Sequence, residues 1–471
     1  MALPELYCDD PFERGFYDRD LAPVPEALAR RLFRTVPDLV ARPQDGEGVA
    51  RVLERARREG RGVTPRAAGT SAYGNAVPAR GGILLDLNAL RGRAELLPER
   101  GAVAVDAATR WGELERWLRR RGWALLSYPT SAPGSTVGGW FNQQGFGVGS
   151  LRHGRMHEQV LAARIVLSDA RARELGPDTD PPLGWFAGSE GTLGVVTRLT
   201  LRVRPAPERE AHYLVALPDA AALEDLARSL AGWDPPPFSL HFADGEFHRL
   251  LEEAGHPAAQ GLTLRVDLDG SAEYLEDARA RLASAAGLRG GRVLGGPAAL
   301  EDWLERCFEV RVKRAGPVLV GAEVWLPLAS LGRFLEAAQA VGRRRRRRVF
   351  TYGTVASRDH CLVNAFFPVD AVGWRELPSL GLVEELQSWG LRLGGHPYGG
   401  VGLWNAPYRT AILAAQERAE LSRRKARLDP GGLLNPGKLY APAHLLLRPG
   451  LFRPGLRALG SVRIPGRRDG S

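Results

Sequence analysis

From Gly122 to Leu151 the chain runs for 30 residues without one charged side chain, and seven of those residues are glycine. A membrane-spanning helix needs a run of about 18 or more apolar residues and does not tolerate so many glycines and polar side chains. The stretch instead reads as a buried, irregular segment. Missing Cβ atoms there let backbone come close to a large flat ligand.

The whole chain of 471 residues is 44% apolar and 25% charged, as in ordinary globular proteins, and long enough for two to four domains with their own cores. Cys8, Cys307 and Cys361 are too few and too scattered for a disulfide framework, and with no CxxC pair they exclude an iron–sulfur cluster held within the chain. The acidic N-terminus, with Asp9, Asp10 and Glu13, lacks the features of a signal peptide, so a cytoplasmic location is expected. The net charge of +10 is local. Six arginines stand at Arg343–Arg348, and the tail from Ala441 holds six more against Asp469. The remaining chain is close to neutral, so a general affinity for nucleic acid is not expected. Arginine outnumbers lysine 61 to three, as a GC-rich genome or a thermophile would produce.

Residues 36–205 alternate short β patterns with helices over Gly46–Glu59 and Trp111–Arg121. The clearest strand is Val195–Val203, whose alternation leaves one polar face. From about residue 208 to 368, strand candidates alternate with helices near 220–230, 272–286 and 328–341, which predicts an α+β domain with an antiparallel sheet. One more helix, about 408–427, ends at Asp429-Pro430-Gly431-Gly432. The Pro-, Gly- and Arg-rich tail from His444 is expected to be irregular.

Four motifs stand in order along this frame. Thr64–Asn75 (TPRAAGTSAYGN) lies between two strands, and its small residues let successive N–H groups meet one anion. It is not a Rossmann fingerprint, because no strand–GxGxxG–helix unit is present. Pro133–Gly139 (PGSTVGG) lies in the charge-free stretch. Gly188–Thr197 (GSEGTLGVVT) leads into the alternating strand, and Leu434–Leu439 (LNPGKL) closes the globular part. Together they resemble the vanillyl-alcohol oxidase / p-cresol methylhydroxylase flavoproteins. Within them the chain is most similar to the branch of D-lactate dehydrogenase and the glycolate oxidase flavin subunit.

That resemblance implies an α+β fold: a PCMH-type FAD-binding domain of two α+β subdomains (36–205), an α+β cap (206–400), a segment returning to the flavin domain (401–442) and a basic tail (443–471). It implies FAD contacts from Arg66, Ala67, Ala68, Gly69, Thr70, Ser71, Gly74 and Asn75 around the pyrophosphate. Pro133, Gly134, Ser135, Thr136, Gly138, Gly139, Asn142 and Gly145 would lie along the isoalloxazine. Gly188, Glu190, Gly191, Gly194 and Val195 would pass beside it, with Asn435 from the last motif. Thr70 stands where some relatives carry a linking histidine, and no cysteine lies between Cys8 and Cys307, so the FAD is expected to be non-covalent.

Oxidation of a 2-hydroxyacid needs a base for the hydroxyl proton and a cation for the carboxylate. The branch implies His396, or Tyr398 beside it, for the base, and Arg311 or Lys313 for the carboxylate. Thr354 replaces one histidine of the branch's metal motif and the acidic neighbour of His396 is missing, so no catalytic metal is expected. The expected activity is an FAD-dependent dehydrogenase or oxidase of a small 2-hydroxyacid-like alcohol. The alternatives are a polyol, sugar or other neutral alcohol as substrate, or an electron-transfer subunit serving an iron–sulfur or quinone-linked partner. The tail would suit docking to an acidic partner or an anionic membrane surface.

Overall fold

The computed structural model describes residues 6–24, 26–294, 296–370, 373, 376–398, 401–439 and 448–460. They form two compact units: Met1–Ala22, Glu26–Glu208 and Gly399–Leu447 in one, Pro23–Pro25, Arg209–Tyr398 and Arg448–Ser471 in the other.

The first unit has two sheets among its described residues. In the smaller, Leu39–Ala41 and Val63–Arg66 flank Ile83–Asp86 in parallel, and Tyr7–Cys8 adds an antiparallel edge. The helix Gly46–Glu59 covers this sheet because Val49, Val52, Leu53 and Ala56 recur on one face and are fully buried. Asp45 caps its start and Gly60, in the left-handed region at φ 63°, ends it. The larger sheet is antiparallel and built around Val195–Pro205, which pairs with Ala102–Asp106, Val160–Val166 and Trp123–Leu125.

The second unit carries an eight-stranded antiparallel sheet among its described residues. Across it the strands run Arg292–Leu294, Arg209–Leu217, Leu262–Gly270, Ser239–Ala243, Phe350–Val355, His360–Val369, Val318–Pro327 and His396–Pro397. The expected helices are present at Ala220–Ala231, Ala272–Gly287 and Leu331–Arg345. Helices at Gly245–Glu253, Pro297–Leu304 and Ser379–Arg392 were not anticipated. The first two are short, which leaves their periodicity little room to show.

Two expectations are corrected. The helix expected over 408–427 is two helices, Ala406–Ile412 and Ala415–Leu428. Leu413 and Ala414 take extended backbone between them, and the Ala414 N–H is capped by Glu417, a start signal inside an otherwise helical pattern. The tail is not irregular where it is described. Pro449–Gly460 is a helix despite an internal Pro454, packed on Ser379–Arg392, with Arg453 and Arg457 both on the fully buried Glu384. The rest of the tail, 440–447 and 461–471, lies outside the described residues.

The arginine run is an ion-paired helix end. Arg346 takes the left-handed cap, Arg347 meets Glu376, and Arg348 bridges Glu246 and Glu253. No helix among the described residues is long and apolar enough to cross a membrane.

Candidate functional site

In the first unit, the chain leaves the strand Val63–Arg66 and turns through Gly69, at φ 66°, and Gly74, at φ 78°, values that favour glycine. Among the described residues none accepts a hydrogen bond from the backbone N–H groups of Ala68, Gly69, Thr70, Ser71 or Ala72. Unpaired N–H groups in a row bind an anion well. The loop is anchored at both ends. The Arg66 guanidinium donates to the carbonyls of Arg19 (2.8 Å) and Ala76 (3.3 Å), while the Gly74 N–H donates to Asp20 Oδ2 at 2.8 Å.

The charge-free stretch supplies the opposite wall. Thr136 caps the short helix Val137–Phe141, and Asn142 Oδ1 accepts the Gly191 N–H at 3.1 Å, tying this wall to the 188–194 loop. Glu190 sits between them at φ 51°, 7% exposed, and accepts the N–H groups of Val401 and Gly402. Burial raises its carboxyl above the usual range, against those two donors. Beneath, the Asn435 Nδ2 group donates to the Glu190 carbonyl at 2.7 Å. Residues of the first loop, of the 135–143 wall and of the 190–196 segment line an open cleft.

In the second unit, His396 pairs with Trp325 across two strands, and their rings stack at 6.3 Å. His360 and Tyr398 stack on the same tryptophan at 5.1 and 6.3 Å. His396 Nδ1 lies 3.0 Å from the Pro397 carbonyl, which only accepts, so Nδ1 donates to it. Arg311 lies in the short turn Glu309–Arg314, outside the strands. It lines a cavity of about 600 Å³ with His248, His256 and Leu214, and Nη1 donates to the carbonyls of Glu305 and Phe308, each at 3.2 Å.

Residues 37–176 match the family described as FAD binding domain, and residues 206–439 match FAD linked oxidases, C-terminal domain. The glycolate oxidase subunit GlcD of Bacillus subtilis is 24% identical over 94% of this chain and 95% of its own. The mitochondrial D-lactate dehydrogenase [cytochrome] of Arabidopsis thaliana is 24% identical over 86% of this chain and 74% of its own. Among solved structures, p-cresol methylhydroxylase superposes with a TM-score of 0.76 at 14% identity, covering 93% of this chain and 94% of that one. The chain belongs to the PCMH-type FAD-binding flavoproteins. It is an FAD-linked oxidoreductase of the glycolate oxidase and D-lactate dehydrogenase type.

The cleft fits the flavoprotein's cofactor. It offers unpaired N–H donors for a pyrophosphate on one side and an uncharged wall for a ring system on the other. Most of the residues expected to touch FAD line it, from Arg66 to Ser71 in the first loop to Val195 in the last. Gly74, Pro133, Gly134, Gly145, Gly188 and Asn435 do not. Gly74 backs onto Leu403, where a Cβ would lie 3.1 Å from Cδ1. The carbonyl of Gly134 accepts from Arg110, and the Gly188 N–H donates to the Phe141 carbonyl. Gly145 lies against the Trp140 indole, and Gly147 against backbone of Tyr128 and Pro129. The glycines of the charge-free stretch thus serve close internal packing as much as access. Trp140 does both: it lines the cleft and meets Trp111 edge-on at 5.2 Å. Thr70 faces the cleft, and Cys8, Cys307 and Cys361 do not line it.

Arg311 lies in the turn Glu309–Arg314, whose Val312 packs with Phe247, Phe350 and Tyr352. Lys313 lies in the turn Glu309–Arg314 and is exposed. Thr354 is buried with Oγ1 3.3 Å from His241 Nδ1, and among the described residues no three His, Cys, Asp or Glu are grouped to hold a metal ion. The buried pair His241 and His248 gave no sequence signal, since strand and helix register alone bring them to one face.

Proposed function

We propose that the chain oxidises a small 2-hydroxyacid-like alcohol with non-covalently bound FAD. When bound, FAD supplies at its N5 atom the acceptor for the hydride that leaves the α-carbon. The loop N–H groups of residues 68–72 would hold the pyrophosphate, and Thr136, Gly138, Gly139 and Asn142, which line the same cleft, would lie along the ring. The hydroxyl proton goes to His396 Nε2, so that two electrons and two hydrogens leave the substrate and a 2-oxoacid results. The observation that carries this assignment is the Nδ1 contact with the Pro397 carbonyl, which holds the imidazole in one orientation. Trp325 beneath the ring limits its rotation. The relatives named glycolate oxidase and D-lactate dehydrogenase, matched across both units, support the hydroxyacid class.

A neutral alcohol is the second reading, and one observation favours it: the rings packed about His396 are those of Trp325 and, on the same indole, His360 and Tyr398. Electrons then pass to a separate iron–sulfur or quinone-linked partner, as the relatives named as glycolate oxidase subunits suggest.

Anaerobic mixing of the purified protein with hydroxyacids and neutral alcohols, followed by flavin bleaching, tests the reading. Bleaching by hydroxyacids alone supports it, and bleaching by neutral alcohols alone replaces it with the second reading. His396→Asn should slow bleaching by ~10²–10⁴-fold. A wild-type rate in that variant would transfer the role to Tyr398.

A further inference from the structure

Lys438, the last polar residue of the closing LNPGKL motif, is 3% exposed. Its ammonium donates to the carbonyls of Gly74 and Val77, at the far end of the anion-binding loop. Two carboxylates face it. Asp20 accepts the N–H of that same Gly74, and Glu190 accepts the N–H groups of Val401 and Gly402. The neighbouring charge is Arg66, beside Asp20. Gly402, at φ 52°, packs against the backbone of Tyr73 and Asn75, and the Leu403 N–H donates to the Tyr73 carbonyl at 2.8 Å. Three stretches distant in sequence, around residues 20, 190 and 401–438, therefore close on the loop through one buried cation.

We infer that Lys438 is a positioning residue for FAD: its ammonium draws in the Gly74 and Val77 carbonyls, which keeps the N–H groups of residues 68–72 presented to the cofactor's phosphates. The physics is specific. Ammonium has three donors and no acceptor, so its bonds go to carbonyl oxygens, and it turns those carbonyls away from a negatively charged ligand. It also offsets Asp20 and Glu190, which would otherwise repel a pyrophosphate from below. Burial pulls its pKa down to about 7, against the two carboxylates, so the clamp weakens as pH rises through neutrality.

The inference rests on FAD as the cofactor, and a wild-type protein that carries no flavin would fail that reading rather than this one. The test is FAD release from the diluted holoenzyme, followed by the fluorescence of the freed cofactor, from pH 6 to pH 9. The wild type should hold FAD at least tenfold more weakly at pH 9 than at pH 6. Lys438→Met should release it at least tenfold more readily at pH 6 and lose the pH dependence, while Lys438→Arg restores part of the retention. Wild-type retention in a folded Lys438→Met chain overturns the inference. Should that variant not fold, Asp20→Asn decides. A several-fold change in FAD retention supports the clamp, and an unchanged value overturns it.

Discussion

Acid should unfold this protein through two histidines that play no part in the proposed chemistry. His241 is 6% exposed, between Thr354 and Glu309, and His248 is 3% exposed, with Nε2 2.9 Å from Thr263 Oγ1. Burial, helped by the charge of Arg265, lowers the pKa of His241 to about 3; burial lowers that of His248 to about 4. In the unfolded chain both return to about 6.5. The folded values are depressed, so below pH 6.5 the unfolded state takes up protons that the folded state refuses. The stabilisation is complete above pH 6.5 and is lost as pH falls, down to about 4 for His248 and about 3 for His241. At pH 5 the gap is about 1.5 pKa units for each histidine, or roughly 2 kcal/mol each and 4 kcal/mol together. Urea unfolding at pH 7 and pH 5, followed by tryptophan fluorescence, measures it. His248→Gln should remove about 2 kcal/mol of the pH dependence. Asp20, Glu190 and Asp244, whose carboxyls are raised by burial, act with the opposite sign but are common to both proteins and cancel in the difference. An identical pH dependence in wild type and variant would refute the reasoning.

Acid precipitation should release FAD into the supernatant, because Thr70 offers no linking atom and the cysteines lie away from the cleft; flavin that stays with the pellet would show a covalent bond. Chelators should leave turnover unchanged, and activity lost to chelation and restored by zinc or manganese would overturn the metal-free reading. Arg311→Met should weaken binding of carboxylate substrates by roughly 10- to 150-fold and leave FAD bound, and an equal effect on acids and neutral alcohols would remove it from the substrate site. Deleting residues 448–471 removes both guanidinium groups from buried Glu384, and should cost roughly 3–5 kcal/mol of stability in urea. A truncated chain as stable as the full one would instead free the tail for docking.

What could be read in the sequence was local. The helix Gly46–Glu59 announces its face, its cap and its stop, because each depends on neighbours within a few residues. The strand Val195–Pro205 does the same through period-two alternation. The four small-residue motifs were legible because an anion-binding loop and a tight ring-facing wall demand glycine and short side chains at fixed spacing. Tertiary structure decided the rest. Gly145 and Gly147 look like their neighbours Gly138 and Gly139, and only packing shows that the first pair faces protein and the second the cleft. Arg311 had the chemistry to hold a carboxylate, and only the fold shows its guanidinium donating to the carbonyls of Glu305 and Phe308. Lys438 is an ordinary lysine in a turn motif until the fold surrounds it with Asp20, Glu190 and two loop carbonyls. A buried charge takes its meaning from groups hundreds of residues away, because the low-dielectric interior makes the surroundings decide its state.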